Sequence, residues 1–385
     1  MRKRTTLILT TVVATMLLAL VPAAGADEQY EFESVVFDIA ATPDGSILAG
    51  DFRTIKEIRN GEISVVAEMP TDLEPGDINN AEVAGTVNGL SVTGRRSFFA
   101  TRIAPDLAVE AGVFHFSNGG WRHVGNIEEF EQARDPDAFE GPMWKDQACE
   151  FDPVANFSAG PQSNPYHLTA RSGSEVIVGD AAGNTVLSMK ANGQPVELVA
   201  LLTPPLDGDD YAVLFPLDED TDCYVQPVPT SVAIGPGGDV FVGELTGAAP
   251  GVLPLEMSRI WRVDAKATDA VCSEKQTDAT ETCELFADGF TSIIDLEFGP
   301  DGRLYVVEYD EASWISAFAE EGETFHQGGT IHACDLDANC EVVASELEFP
   351  SAITFDKRGN LWLLENNATQ AITGNPPTVR KLDLP

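Results

Sequence analysis

Along the chain, short apolar runs alternate with polar residues at a period of two and are broken by Gly, Pro, Asp and Asn. That is the pattern of short β-strands, and no helical periodicity of any length follows the first 26 residues. The clearest unit is an apolar stretch, a turn centred on Gly, and a second apolar stretch ending in an acidic residue. It recurs as PDGSILAGD (43–51), SGSEVIVGD (172–180), GPGGDVFVGE (235–244), GPDGRLYVVE (299–308) and DKRGNLWLLE (356–365), with a weaker copy, VTGRRSFFAT, at 92–101. Each copy leads into a third strand, such as TIKEIRN (54–60) or RIWRVDA (259–265). In all but the last copy a fourth follows, such as CEVVASEL (340–347). Six units of four short strands predict an all-β chain, a six-bladed β-propeller with four-stranded antiparallel blades.

The sixth copy stops after its third strand. A propeller has to close its ring, because an unpaired strand edge invites aggregation. The segment Gln29 to Ser34, with alternating Tyr30 and Phe32, is therefore expected to supply the missing outer strand of the last blade. The register also places the six cysteines. Cys272 with Cys283, and Cys334 with Cys340, flank the connection between third and fourth strands in successive blades, so each pair is expected to staple a hairpin tip. Cys149 and Cys223 remain and are paired by elimination. Two insertions, about 127–163 and 202–228, read as long irregular loops rich in Asp, Glu, Pro and Gly, where binding sites on rigid scaffolds usually lie.

Charge narrows the partners. With 23 Lys+Arg against 62 Asp+Glu the net charge is −39, and such a surface repels nucleic acid. Residues 1–26 have the form of a cleaved signal peptide: basic Arg2 to Arg4, an apolar stretch, and Ala24-Gly25-Ala26. The mature chain, 27–385, is then expected to be one propeller domain, secreted or periplasmic, monomeric, and without a membrane span. The even cysteine count suits that oxidising compartment.

The blocks SNPYHLTA (163–170), VIVGDAAGNTVLSM (176–189), VPTSVAIGPGGDVFVGELTG (228–247), RIWRV (259–263) and GFTSIIDLEFGPDGRLYVVE (289–308) closely resemble the ScyD/ScyE family. These are secreted NHL-type propeller proteins named from scytonemin-biosynthesis clusters. The resemblance covers about Ser163 to Pro385 and implies a six-bladed NHL-like propeller.

Aligning the copies on their final acidic residue puts Asp38, Asn88, His167, Ser231, Asp295 and Ala352 at equivalent positions near the entrance of each inner strand. Inner strands line the channel of a propeller. Asp38, Asn88 and Asp295 are oxygen ligands suited to Ca2+, with His167 as a further ligand or general base. The strand-end acids Asp51, Asp180, Glu244, Glu308 and Glu365 read instead as structural acceptors for amides of their own turns, Glu244 within GELTG being the exception to watch. GxSxG, HExxH and P-loop motifs are absent. Two functions stay open: a binding or accessory scaffold that takes a protein or small-molecule ligand on its loop-rich face, and a metal-dependent hydrolase of the lactonase or gluconolactonase type with a divalent cation in the channel.

Overall fold

In the computed structural model, which describes residues 28–69, 87–102, 112–137, 163–193, 195–218, 221–247, 253–318 and 326–384, the repeats form six antiparallel blades arranged in a ring. The chain is a six-bladed β-propeller. Blade one comprises Val36–Ala41, Ile47–Asp51, Thr54–Arg59 and Glu62–Glu68; blade two, Leu90–Gly94, Ser97–Arg102, Gly112–Ser117 and Gly120–Asn126. Blade three comprises Pro165–Ser172, Glu175–Asp180, Thr185–Lys190 and Glu197–Leu202; blade four, Pro229–Ile234, Val240–Glu244, Ser258–Val263 and Cys283–Phe290. Blade five comprises Ile293–Phe298, Leu304–Glu308, Gly329–Cys334 and Cys340–Leu347. Blade six has Pro350–Phe355, Leu361–Glu365 and Thr378–Leu382, and is completed by Gln29–Glu31 from the other end of the chain.

That last pairing is the expected clasp. Gln29 faces Arg380, Tyr30 faces Val379 and Glu31 faces Thr378 in antiparallel register. Phe32 follows and is buried between blades six and one with Val36, Trp362 and Leu364. Burying a phenylalanine contributes about 2–3 kcal/mol, so the clasp is held by packing as well as by its ladder. The same logic runs round the ring. Six apolar clusters lie one at each blade-to-blade interface, because both faces of every sheet are covered and its inner strands are apolar on both sides.

Three expectations need correction. The stretch after blade two is not wholly irregular. Ile127–Arg134 is an α-helix, with Asn126 as N-cap accepting from Glu129 N at 3.0 Å. The second insertion contains two small hairpins, Leu206–Asp207 with Asp210–Tyr211 and Val213–Asp218 with Thr221–Tyr224. Cys272 does not sit at a hairpin tip of blade four. Ala270–Cys272 pairs in parallel with Glu197–Leu202 as a fifth strand of blade three, so the Cys272–Cys283 disulfide joins two blades. An interface staple constrains the ring where a hairpin staple constrains only its own turn. Cys334–Cys340 is a hairpin staple as expected, the two residues being direct cross-strand partners. Cys149, and with it the expected Cys149–Cys223 pairing, lies outside the described residues, as do residues 1–26, expected as a signal peptide. Among the described residues no helix is long and apolar enough to cross a membrane.

Candidate functional site at the ring centre

Each of five inner strands carries a bulge near its start. The register shifts fall between Val36 and Asp38, Pro165 and His167, Pro229 and Ser231, Ile293 and Asp295, and Pro350 and Ala352. A bulge re-aims the side chain that follows it. Here Asp38, Ser231, Asp295 and Ala352 are fully buried, and His167 keeps only 12% of its side chain exposed.

Asp38 Oδ1 accepts from Ile39 N at 2.7 Å, while Oδ2 accepts from Leu90 N, on the inner strand of blade two, at 2.6 Å. Asp295 repeats the arrangement with Leu296 N at 2.8 Å and with Ile353 N of blade six at 2.7 Å. His167 Nδ1 accepts from Val232 N of blade four at 3.4 Å. Blades one, three and five thus each reach across to the next blade. The counterparts in blades two, four and six are small: Gly89, Ser231 and Ala352. At Gly89 a side chain has no room, since a Cβ would lie 2.9 Å from Tyr166 O and 3.1 Å from His167 Cα.

With Nδ1 accepting, His167 carries its proton on Nε2, which lies 3.4 Å from Asp295 Oδ1 and 3.7 Å from Asp38 Oδ2. Burial pushes the Asp38 carboxyl well above its usual range, the Asp295 charge adds to this, and the Leu90 and Ile39 amides pull it back. Asp295 is raised by burial and drawn down by His167 and its two amides. Burial holds the imidazole below its usual range. Next to this group lies a cavity of about 310 Å3 to which all six blades contribute, with Ser91, Thr169, Glu297 and Thr354 among its polar walls. Burial and the neighbouring Asp295 push Glu297 up to about 8.

The structure brings Asp38, His167 and Asp295 together and leaves Asn88 out. Leu90 pairs with Ala100 as Ile39 pairs with Ala49, and Thr101 N donates to Gly89 O, so Gly89 is the true counterpart of Asp38. Asn88 lies one residue before that position and donates to Asn164 Oδ1 at 3.4 Å. Ser231 is in register, but its buried hydroxyl meets no hydrogen-bond partner. Glu244 is a buried anchor, its two oxygens held by Arg259 at 2.8 and 3.0 Å and by Trp261 Nε1 at 2.6 Å. Arg259 also donates to Thr203 O and Glu274, fastening blade four to the connection from blade three.

One acidic group escaped the sequence reading. Glu131, on the helix after blade two, is fully buried, and its ligand oxygen lies within 4.8 Å of those of Asp135 and Asp137. Asp180, the strand-end acid of blade three, faces the same point. A Cβ built on Gly183 would lie 2.7 Å from Glu131 Oε1 and 3.3 Å from Asp180 Oδ2. Burial, Asp180, Asp137 and further acids push Glu131 up to about 10, and burial takes Asp180 to about 7. The available signal was Asn126 three residues before Glu129, an N-cap pattern leading into Ile127 and Phe130.

No protein-family model and no curated protein matches the chain. Among solved structures it is similar to the putative oxidoreductase (glucose dehydrogenase) from Thermus thermophilus, at 13% identity and a TM-score of 0.54, covering 93% of this chain and 99% of that one. It also matches a gluconolactonase from Xanthomonas campestris, at 12% identity and a TM-score of 0.48 over 92% of this chain and 88% of that one. The PQQ-bound aldose sugar dehydrogenase from Streptomyces coelicolor follows at 10% and 0.49, over 93% and 98%. At these identities the likeness speaks for the fold alone, and a propeller hosts many functions.

Proposed function

We propose that this chain is an exported binding propeller of the ScyD/ScyE type, a rigid ring whose long inter-blade connections present a surface to a protein or small-molecule partner. The observation that carries this reading is the state of the central carboxylates. All four oxygens of Asp38 and Asp295 accept backbone N–H groups from two adjacent inner strands. Their polarity closes the ring, while a channel metal of the lactonase type needs such oxygens turned on one cation at about 2.3–2.6 Å. Asn88, the third expected ligand, is directed to Asn164. Two disulfides among the described residues suit an extracellular or periplasmic setting.

The metal-dependent lactonase reading is favoured by one observation, the protonated Nε2 of His167 between two carboxylates beside a 310 Å3 polar-walled cavity. A lactone and ester hydrolysis screen with and without calcium, run on the wild type and Asp295→Asn, separates the two. The binding propeller shows no turnover sensitive to Asp295, and the variant unfolds at lower denaturant. Saturable calcium-dependent hydrolysis that disappears in Asp295→Asn, with the unfolding midpoint unchanged, overturns it.

A further inference from the structure

Beside blade three, Glu131, Asp135 and Asp137 bring carboxylate oxygens within 4.8 Å of one another, and Asp180 faces Glu131 across Gly183. Both oxygens of Glu131 and Oδ2 of Asp180 are buried and meet no hydrogen-bond donor among the described residues, each residue being 0% exposed. Asp180 Oδ1 does accept amides, from Asn164 at 2.6 Å and from Ala182 and Gly183 at 3.3 Å, which leaves Oδ2 aimed at Glu131. Asp137 Oδ2 accepts from Asn184 Nδ2 at 2.8 Å, fixing its orientation.

The other blades show what belongs at this position. In four of them the strand-end acid meets an N–H donor from one equivalent site on the third strand. Lys56 pairs with Asp51 at 2.6 Å, Trp261 with Glu244 at 2.6 Å, His332 with Glu308 at 2.5 Å and Arg380 with Glu365 at 2.5 Å. The equivalent residue in blade three is Leu187, and the group that approaches Asp180 is another acid, Glu131. Buried like charges are costly unless a cation is shared between them. Gly183 is what leaves the space, since any side chain there would press on Glu131 Oε1.

We propose that Glu131, Asp135, Asp137 and Asp180 bind one divalent cation of calcium size. The donors are all oxygens, which suits a hard cation, and four carboxylates supply enough of them for the six to eight contacts calcium takes. The site is off the ring axis and independent of the ring-centre reading. It would pin the helix that leaves blade two against the edge of blade three, at the root of the first long insertion.

The test uses the full-length mature protein, stripped with chelator and titrated with calcium chloride by calorimetry and by thermal unfolding. The wild type and the exposed-acid control Asp207→Asn are expected to bind one calcium and to gain about 5 °C in unfolding temperature at a hundredfold excess over Kd. Glu131→Gln keeps the shape and removes the charge, and Gly183→Ala fills the space; both should lose the calorimetric heat and the shift. Absence of binding in the wild type overturns the proposal, as does a full shift retained in Glu131→Gln. Should Glu131→Gln fail to fold, Asp137→Asn makes the same test from the edge of the cluster.

Discussion

At the ring axis Asp38 and Asp295 are buried, and every one of their oxygens accepts a backbone N–H. Beside blade three Glu131 is just as buried, and neither of its oxygens meets a donor among the described residues. Burial is the same in the two places and its consequence is opposite. A carboxylate that ties two strands together supports the ring in any buffer, since its partners are part of the backbone. One surrounded by Asp135, Asp137 and Asp180 needs a partner from solution, and without it opposes the fold. Buried charge is therefore uninformative until its hydrogen bonds are followed atom by atom.

The contrast breaks most visibly at Asp295. Asp295→Ala strands the amides of Leu296 and Ile353 in the interior, at a cost of about 3 kcal/mol. Asn at the same place keeps one acceptor and should lose about half as much. Urea unfolding midpoints measure both, and the loss should be the same with chelator and with calcium. A loss that calcium changes would mean that the ring centre holds a cation after all.

Glu131→Gln should move stability the other way. In chelator the wild type has to take up a proton to bury a carboxyl pushed up to about 10, a cost Gln does not carry, and the Gln amide can donate towards Asp180 Oδ2, so the variant is expected to be more stable than the wild type at pH 7 by about 2 kcal/mol. In saturating calcium the order reverses. A Glu131→Gln protein less stable than the wild type in both buffers would place Glu131 among ordinary structural acceptors.

These two places were not equally legible in the sequence. Strand alternation and the Gly-centred turns announced the six blades, and the missing fourth strand of the last copy announced the clasp by Gln29–Glu31, because ring closure is a topological demand. Asp38, His167 and Asp295 were found by counting back from the strand-end acid. Blade two misled that count because Arg102 stands where the others have an acid, so that anchoring on Thr101 selected Asn88 in place of Gly89. The acidic cluster was hidden for a different reason. An eight-residue helix spans barely two turns, too few for a 3.6-residue period to stand out, and its contact with Asp180 joins positions 49 residues apart (180 minus 131). The inter-blade role of Cys272 was missed because three residues pairing in parallel leave no pattern of their own.

Glu297 gives a smaller effect on the axis itself. Its carboxyl is pushed up to about 8 by burial and Asp295, above the ordinary range for an unfolded chain. A raised folded value means that the folded protein holds the proton more tightly. The stabilisation is complete below about pH 4.5 and is lost as pH climbs towards 8. Because the cavity wall is partly open to water, about 1 kcal/mol is the expected size. In calcium buffer, where the acidic cluster is neutralised, the wild type should lose that much between pH 5 and pH 8 relative to Glu297→Gln. Parallel stability curves for the two proteins would show that Glu297 keeps an ordinary carboxylate affinity for its proton.

The smallest effect belongs to Ser231, which shares the ring position of Asp38 and Asp295 but in an even-numbered blade. Its hydroxyl is buried without a partner, and a Cβ on the facing Gly243 would lie 2.5 Å from it. Ser231→Ala removes a group that was desolvated for no hydrogen bond in return, so stability should stay level or rise by about 0.5 kcal/mol. The ring needs a polar group only where that group reaches the next inner strand. Blades one, three and five meet this condition through Asp38, His167 and Asp295, and blade six already carries alanine at the position. A loss of more than 1 kcal/mol in Ser231→Ala would show that the even blades also contribute polar ties, and the threefold alternation round the axis would give way to a sixfold one.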